Sequence, residues 1–332
     1  MIKNLEIKNF KSIKNLKLEC KRINVFIGKP NTGKSNILEA LGILSFGRFC
    51  IIGADLKEFV RFEYMNNLFY NENLEDSITI KVDDKILEIN FDFEKEEFWG
   101  RCREDVVPKP VPVPTFFSFD YNYEGKGSAS CSGFEKLPFK FYRFSIKKTF
   151  PRKEVAFLLP PSGDNLLAIL RSHKELRKLV KEIFDEYGLK LKLKPQDNKI
   201  EVDKDIEDII ISHPYPLVSD TLQRLIFHLA AIETNKDSII IFEEPEAHAF
   251  PYYTKYLAER IALDDNNNQY FISTHNPYFL LPIIEKTPKD QVGIFITYFE
   301  DYQTRVKSLS EEDIKEIMDM EIDVFFNIER FL

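Results

Sequence analysis

Three short clusters in this 332-residue chain have side chains and spacing suited to polyphosphate chemistry. Residues Gly28-Lys29-Pro30-Asn31-Thr32-Gly33-Lys34-Ser35 satisfy G-x-x-x-x-G-K-[ST] and are followed by Asn36. In that pattern the glycines allow a tight turn whose N–H groups, with the start of the next helix, face anionic oxygens. The lysine, Lys34, then reaches the β- and γ-phosphates, and the Ser35 hydroxyl completes a Mg2+ shell. The second cluster is Glu243-Glu244-Pro245-Glu246-Ala247-His248, which ends the apolar run Ser238–Phe242. At such a strand end one carboxylate can hold the water shell of a metal while the next polarises an attacking water. Two glutamates closing a buried strand are costly without a cation nearby. The third cluster is Ser273-Thr274-His275-Asn276, again after an apolar run. A lone histidine there is ordinarily structural, but it follows the other two clusters in an order that suits a nucleotide site.

These residues need strands and helices to carry them. Ile23–Ile27 reads as a buried strand entering the loop, and Asn36–Phe46 as the helix leaving it. Before them, Ile2, Leu5, Ile7, Phe10, Ile13, Leu16 and Leu18 are spaced for short strands. Ile78–Val82 and Ile86–Phe91, joined across Asp83-Asp84-Lys85, predict a hairpin. Residues 107–114 then alternate proline, which excludes a helix or a central strand, and Gly125–Ser130 follows amid many Phe and Tyr. We read 94–153 as an insertion or lid between an N-terminal lobe, 1–93, and a C-terminal lobe, 154–332. In the latter the pattern predicts a long amphipathic helix over 165–187, and a strand with Lys190, Lys192 and Lys194 on one face. Beyond these it predicts helices over 220–234 and 251–263 and strands over 238–242, 269–272 and 292–298. The fold class expected is α/β, with an N-terminal antiparallel β region.

Composition narrows the field. The apolar fraction of 44% is that of a globular chain with a real core. No run of about 18 apolar residues is evident, so no membrane contact is expected, and the N-terminus lacks the apolar stretch of a signal peptide. Cys20, Cys50, Cys102 and Cys131 lack metal-ligand spacing and suggest reduced thiols in a cytoplasmic protein. The net charge of −8 is unevenly spread. From Lys136 to Lys194 there are 15 Lys/Arg against 6 Asp/Glu, whereas from Glu201 to Leu332 there are 11 against 26. The basic stretch is the expected place for any nucleic-acid contact, or else a solvated face.

The loop together with "IIIFEEPEAHAFP", "FISTHNP" and the N-terminal "IKNFKSIKNLKL" resembles the ABC-type ATPases of the RecF/SMC/OLD branch. The resemblance covers about 1–50 and 215–280. It implies ATP and Mg2+ as ligands and assigns Glu243 to the Mg2+ side, where most relatives outside the OLD branch carry Asp. It further makes Glu244 the catalytic base and His275 a switch that senses the γ-phosphate. It implies a head-to-tail homodimer in the ATP state, each subunit lending a serine-containing signature to its partner. The matching segment is Pro216–Arg224 with Ser219, which also suits an N-cap. The segment has no glycine, where the family has Ser-Gly-Gly or Ser-x-Gly, and no glutamine lid follows the first helix. Lys11 and Ser12 are candidate nucleotide-edge contacts or plain strand surface. SMC-like members carry a long coiled coil that is not seen here, and OLD-type members a nuclease domain for which the 57 residues after His275 are few. The implied role is ATP-driven dimer closure in DNA repair or defence, acting on DNA or through a partner nuclease or toxin. The alternatives are a nucleotide-gated interaction module that hardly hydrolyses ATP, and a transporter nucleotide-binding subunit.

Overall fold

The computed structural model describes residues 1–105, 114–207, 209–319 and 324–332. The proline alternation at 107–113 lies outside them. The chain begins with strands β1 (Asn4–Phe10), β2 (Ile13–Glu19) and β3 (Ile23–Gly28), and then helix α1 (Lys34–Phe49). Strands β4 (Ile78–Val82) and β5 (Lys85–Asp92) form the expected hairpin, with Val82 opposite Lys85, so the turn is Asp83-Asp84 alone. Strands β6 (Glu97–Glu104), β7 (Thr115–Tyr121), β8 (Gly127–Cys131) and β9 (Phe139–Tyr142) follow.

The stretch expected as a lid is woven into both main layers. Strands β6, β7 and β8 complete a seven-stranded antiparallel sheet ordered β2-β1-β4-β5-β6-β7-β8. Strand β9 pairs in parallel with β13 (Ile239–Glu243) inside the second sheet. The aromatic density there is core: Phe98, Phe117, Phe119, Phe139 and Phe141 are all fully buried.

The second sheet is ordered β16-β15-β3-β14-β13-β9. It includes β14 (Gln269–Ser273), β15 (Val292–Glu300) and β16 (Gln303–Ser308), the last antiparallel. Strands β3 and β14 are buried along their whole length, as a parallel sheet covered on both faces requires. On one face lies α1, sandwiched against the antiparallel sheet. On the other lie α2 (Leu166–Ser172), α4 (Asp220–Thr234), α5 (Pro251–Ala262), α6 (Pro277–Lys286) and α7 (Glu311–Asp319).

Two further expectations change. The long helix predicted over 165–187 is two, α2 and α3 (Lys174–Asp185), because His173 takes an extended conformation and its Nε2 lies 2.7 Å from the Val155 carbonyl. The segment Lys34–Ile52, despite its scattered charges, averages apolar enough to cross a membrane by length and composition. Burial between the two sheets accounts for that apolarity. The lysine strand is β10 (Leu189–Lys194), which forms a separate three-stranded sheet with β11 (Lys199–Ile206) and β12 (Ile209–Pro214).

Gly100 on β6 faces Phe119 on β7, and a Cβ there would run into the Phe119 ring. Gly100→Val should therefore destabilise the protein by about 1–3 kcal/mol. Urea unfolding measures this, and an unchanged midpoint would mean that β6 and β7 are not packed core.

Candidate nucleotide-binding site

Strand β3 delivers the loop and α1 removes it, as the motif requires. Gly33 has φ +95°, and an added Cβ would collide with Thr304. At Gly28 the obstacle is Thr297 on β15. The Thr32 hydroxyl completes the wedge, 2.6 Å from Thr297 Oγ1 and donating to the Lys29 carbonyl at 2.8 Å. The loop is thus pressed against β15 and β16, which leaves little freedom to its backbone.

One polar pocket of about 410 Å3 gathers Pro30, Asn31, Thr32, Gly33, Lys34, Ser35, Asn36, Arg61, Glu244 and His275. Most of the expected residues therefore meet. Lys34 is buried, and its ammonium donates to the Gly28 and Lys29 carbonyls at 2.8 and 2.9 Å. Burial pushes its pKa down to about 8, against the opposing pull of Glu244. The Ser35 hydroxyl has no protein partner among the described residues. Glu244 takes a left-handed φ of 45°, which costs a non-glycine residue roughly 1–2 kcal/mol. Its N–H donates to the Ser273 carbonyl at 3.0 Å, and its Oε1 lies 3.2 Å from His275 Nε2. The hydrogen bond from His275 outweighs partial burial and holds the Glu244 carboxyl below its usual range. A carboxylate kept ionised at a pocket wall is able to accept a proton from water.

Other expected residues stand behind or apart from the pocket. Glu243, at the end of β13, is gripped by Arg61 Nη2 at 2.7 Å and lies 3.5 Å from Arg143 Nη2. Lys11, in the β1–β2 turn, ion-pairs with Glu39 of α1 and donates to the Arg61 carbonyl at 2.6 Å. Ser12 Oγ accepts from Asn36 Nδ2 at 2.7 Å and lies 2.6 Å from Thr304 Oγ1, so it braces the loop. Lys29 turns outward to Glu329 at 2.6 Å. Ser219 stands at the N-cap of α4, but its side chain makes no cap hydrogen bond. It lines a different cavity, with Leu217, Phe250 and Tyr253.

The structure adds residues that sequence reasoning did not single out. Arg61 lines the pocket and bridges Glu39 of α1, 2.6 Å from Nε, to Glu243 of β13. Arg143 touches the same two carboxylates. Glu246 is buried and accepts from Thr274 Oγ1 and, at 3.3 Å, from the His275 N–H. Burial raises its pKa to about 7, and its other oxygen has no partner among the described residues. No group of three or more His, Cys, Asp or Glu side chains suited to a metal exists among the described residues. The Ser35 hydroxyl in the pocket, with the Glu243 carboxylate behind it on Arg61, is a donor set of the kind Mg2+ uses, since that ion keeps most of its waters and takes oxygens from phosphates.

Sheet order, loop and pocket together define an ABC-type P-loop ATPase head of the RecF/SMC-like kind. The chain belongs to the family described as "AAA domain, putative AbiEii toxin, Type IV TA system", which matches residues 23–281. It is similar to the DNA replication and repair protein RecF of Thermoanaerobacter sp. (strain X514), with 32% identity over 97 residues, 27% of this chain and 26% of that protein. RecF of Clostridioides difficile (strain 630) is 41% identical over 66 residues, 20% of this chain and 18% of that one. The uncharacterized protein MJECL10 of Methanocaldococcus jannaschii is 34% identical over 90 residues, 24% of this chain and 41% of its own length. The chain thus spans about a quarter of the length of the RecF of the first comparison, 26%. Among solved structures, an SmcHead bound to the C-winged helix domain of ScpA has TM-score 0.52 at 15% identity, covering 97% of this chain and 99% of that one. An Smc head domain with an extended coiled coil, bound to the C-terminal domain of ScpA derived from Pyrococcus furiosus, gives the same 0.52 and 15%, over 96% and 99%. At that identity the likeness speaks for the fold alone.

Arg61→Ala leaves the fully buried Glu39 with fewer cations and the pocket with one less. It should lower stability by about 1–3 kcal/mol and weaken nucleotide binding. Arg61→Lys should recover only part of either, since an ammonium cannot span two carboxylates as a guanidinium fork does. Thermal unfolding and fluorescent-nucleotide titration test this, and full recovery with Lys would sink the bridging role.

A second expectation concerns pH. Lys34 is charged below its pKa of about 8 and neutral above it, and phosphate binding selects the charged form. ATP affinity should hold steady from pH 6 to 7.5 and then fall by up to about tenfold per pH unit above 8, with proton uptake on binding. Calorimetry in buffers of different ionisation enthalpy reads that uptake. A flat affinity up to pH 9.5 would contradict it.

Proposed function

We propose that this chain is a Mg2+-dependent ATPase whose ATP-bound form closes as a head-to-tail homodimer and whose hydrolysis reopens it. The observation that carries the reading is the meeting of Lys34, Ser35, Arg61, Glu244 and His275 on one polar pocket. In this reading the loop N–H groups and Lys34 hold the β- and γ-phosphates. Ser35 and Glu243 would hold Mg2+, which when bound neutralises phosphate charge. Glu244 takes a proton from the attacking water while His275, hydrogen-bonded to it, responds to the γ-phosphate. Positioning and preorganised charge supply most of the rate. Ser219 and the N-terminus of α4 serve the partner subunit's nucleotide, consistent with their absence from their own chain's pocket.

We further place the cycle in DNA repair or defence, acting through a partner protein. The RecF relatives are named for DNA replication and repair, the Smc heads of similar fold are bound to ScpA domains, and the family description names a toxin system. Direct contact with DNA through 136–194 has less support. Lys136, Lys147, Arg152, Lys181, Lys190 and Lys194 are each ion-paired and Lys140 is buried, although Arg171, Lys174, Arg177 and Lys178 stay exposed. A second reading, a nucleotide-gated module with negligible hydrolysis, draws on the glycine-free segment around Ser219, because close approach of backbone to phosphate favours glycine.

Lys34→Ala should weaken ATP binding by at least about tenfold. Glu244→Gln should keep binding but lower turnover roughly 10²–10⁴-fold, since an amide cannot take the proton. Light scattering should show a dimer with Mg-ATP, most persistent in Glu244→Gln. Equal turnover in Glu244→Gln and wild type removes the base role. A mass that stays monomeric at high concentration removes the role of Ser219 in its partner's site.

A further inference from the structure

The three-stranded sheet has an open edge. Its order puts β10 outermost, and among the described residues β10 pairs only with β11. The sequence Leu-Lys-Leu-Lys-Leu-Lys places Leu189, Leu191 and Leu193 on one face and Lys190, Lys192 and Lys194 on the other. The lysine face meets a row of acids across β11: Lys190 lies 2.7 Å from Asp205 and Lys194 2.6 Å from Glu201. On the other flank of the lysine row no strand follows among the described residues.

The leucine face borders a groove of about 570 Å3 between β10 and α3. Leu170 and Phe184 join the three leucines as its apolar floor. Lys174, Arg177, Lys178 and Lys181 of α3 form a cationic rim, and the one acid among its lining residues, Asp185, is ion-paired with Lys181. None of these residues lines the nucleotide pocket.

We propose that the groove and the open β10 edge bind an acidic amphipathic segment of a partner protein, taken up in extended form as a fourth strand. An added strand satisfies the free N–H and C=O groups of β10. Its two-residue period lays one set of side chains on the leucine floor and the other beside the lysine row. Acids at the second set continue the charge alternation that β11 already shows on the opposite flank. The α3 cations draw the same charge toward the rim. A nucleic-acid backbone would use the cations and leave the apolar floor uncovered, so the observations favour a peptide. This docking rests on geometry separate from the ATP pocket and stands or falls apart from the ATPase reading.

The test uses the full chain and a fluorescent peptide roughly eight residues long alternating Glu and Val, with a Lys/Val counterpart and single-stranded DNA as competitors. The acidic peptide should bind, the basic one should not, and amide exchange should slow at 189–194. Lys174→Glu with Lys178→Glu should weaken acidic-peptide binding by roughly tenfold while Mg-ATP binding is kept. Circular dichroism checks that this variant folds. No binding at low salt, binding without protection at 189–194, or displacement of the peptide by single-stranded DNA would each overturn the proposal.

Discussion

A single buried carboxylate organises the nucleotide pocket. Glu39 sits in the middle of α1, fully buried, and meets Lys11, Arg61 and Arg143. These cations come from three places distant in sequence: the β1–β2 turn, the segment before β4, and the residue just past β9. Two of them continue to Glu243 at the end of β13. The helix that carries Lys34 and the strand that ends at Glu243, just before Glu244, are thereby tied through one electrostatic knot. A buried ion pair contributes little net stability, and because Glu39 has three cations, losing one of them weakens its compensation without abolishing it. The knot therefore holds geometry more than it adds stability. With three cations against two carboxylates, it also leaves a positive excess beside the pocket, the sign a polyphosphate needs.

How much of this was legible in sequence follows from how locally each feature is encoded. Gly28 to Ser35 could be read because backbone curvature, lysine and hydroxyl all lie within eight residues. Glu243, Glu244 and His275 could be read because each ends an apolar strand. Arg61, Arg143, Thr297 and Thr304 left no such mark, since their meaning arises only when β9, β15 and β16 are brought beside the loop. The prolines and aromatics of 94–153 hid four strands for a related reason. Their phenylalanines pack across two sheets, which shows only when both faces are in view. His173 illustrates the converse: apolar spacing runs on through 165–187, yet one extended residue splits the helix.

The charge asymmetry acquires a more particular meaning in the fold. Much of the basic stretch is spent locally, on ion pairs such as Lys147 with Asp164 or Arg152 with Glu154. Exposed pairs of that sort contribute little stability, about 0–1 kcal/mol each, but they mute the field a distant polyanion would sense. What survives is patchy, and the α3 rim is one place where it gathers. A chain with net charge −8 can thus still present cations at chosen sites.

The pocket's chemistry also says which part of a nucleotide it grips. Its lining is loop backbone, Lys34, Ser35, Asn36, Arg61, Glu244 and His275, with no Phe, Tyr or Trp among the lining residues and no apolar wall beyond Pro30. Stacking on a base contributes about 1–3 kcal/mol where an aromatic platform exists, and the one ring in this lining, His275, is held by Glu244. Recognition within this pocket is therefore concentrated on the phosphates, where charge differs most between the triphosphate and its products. A site built that way distinguishes nucleotide states more sharply than nucleobases. The Glu243–Arg61–Glu39 chain of ion pairs runs from the edge of that pocket to the interior of α1, which packs against both sheets.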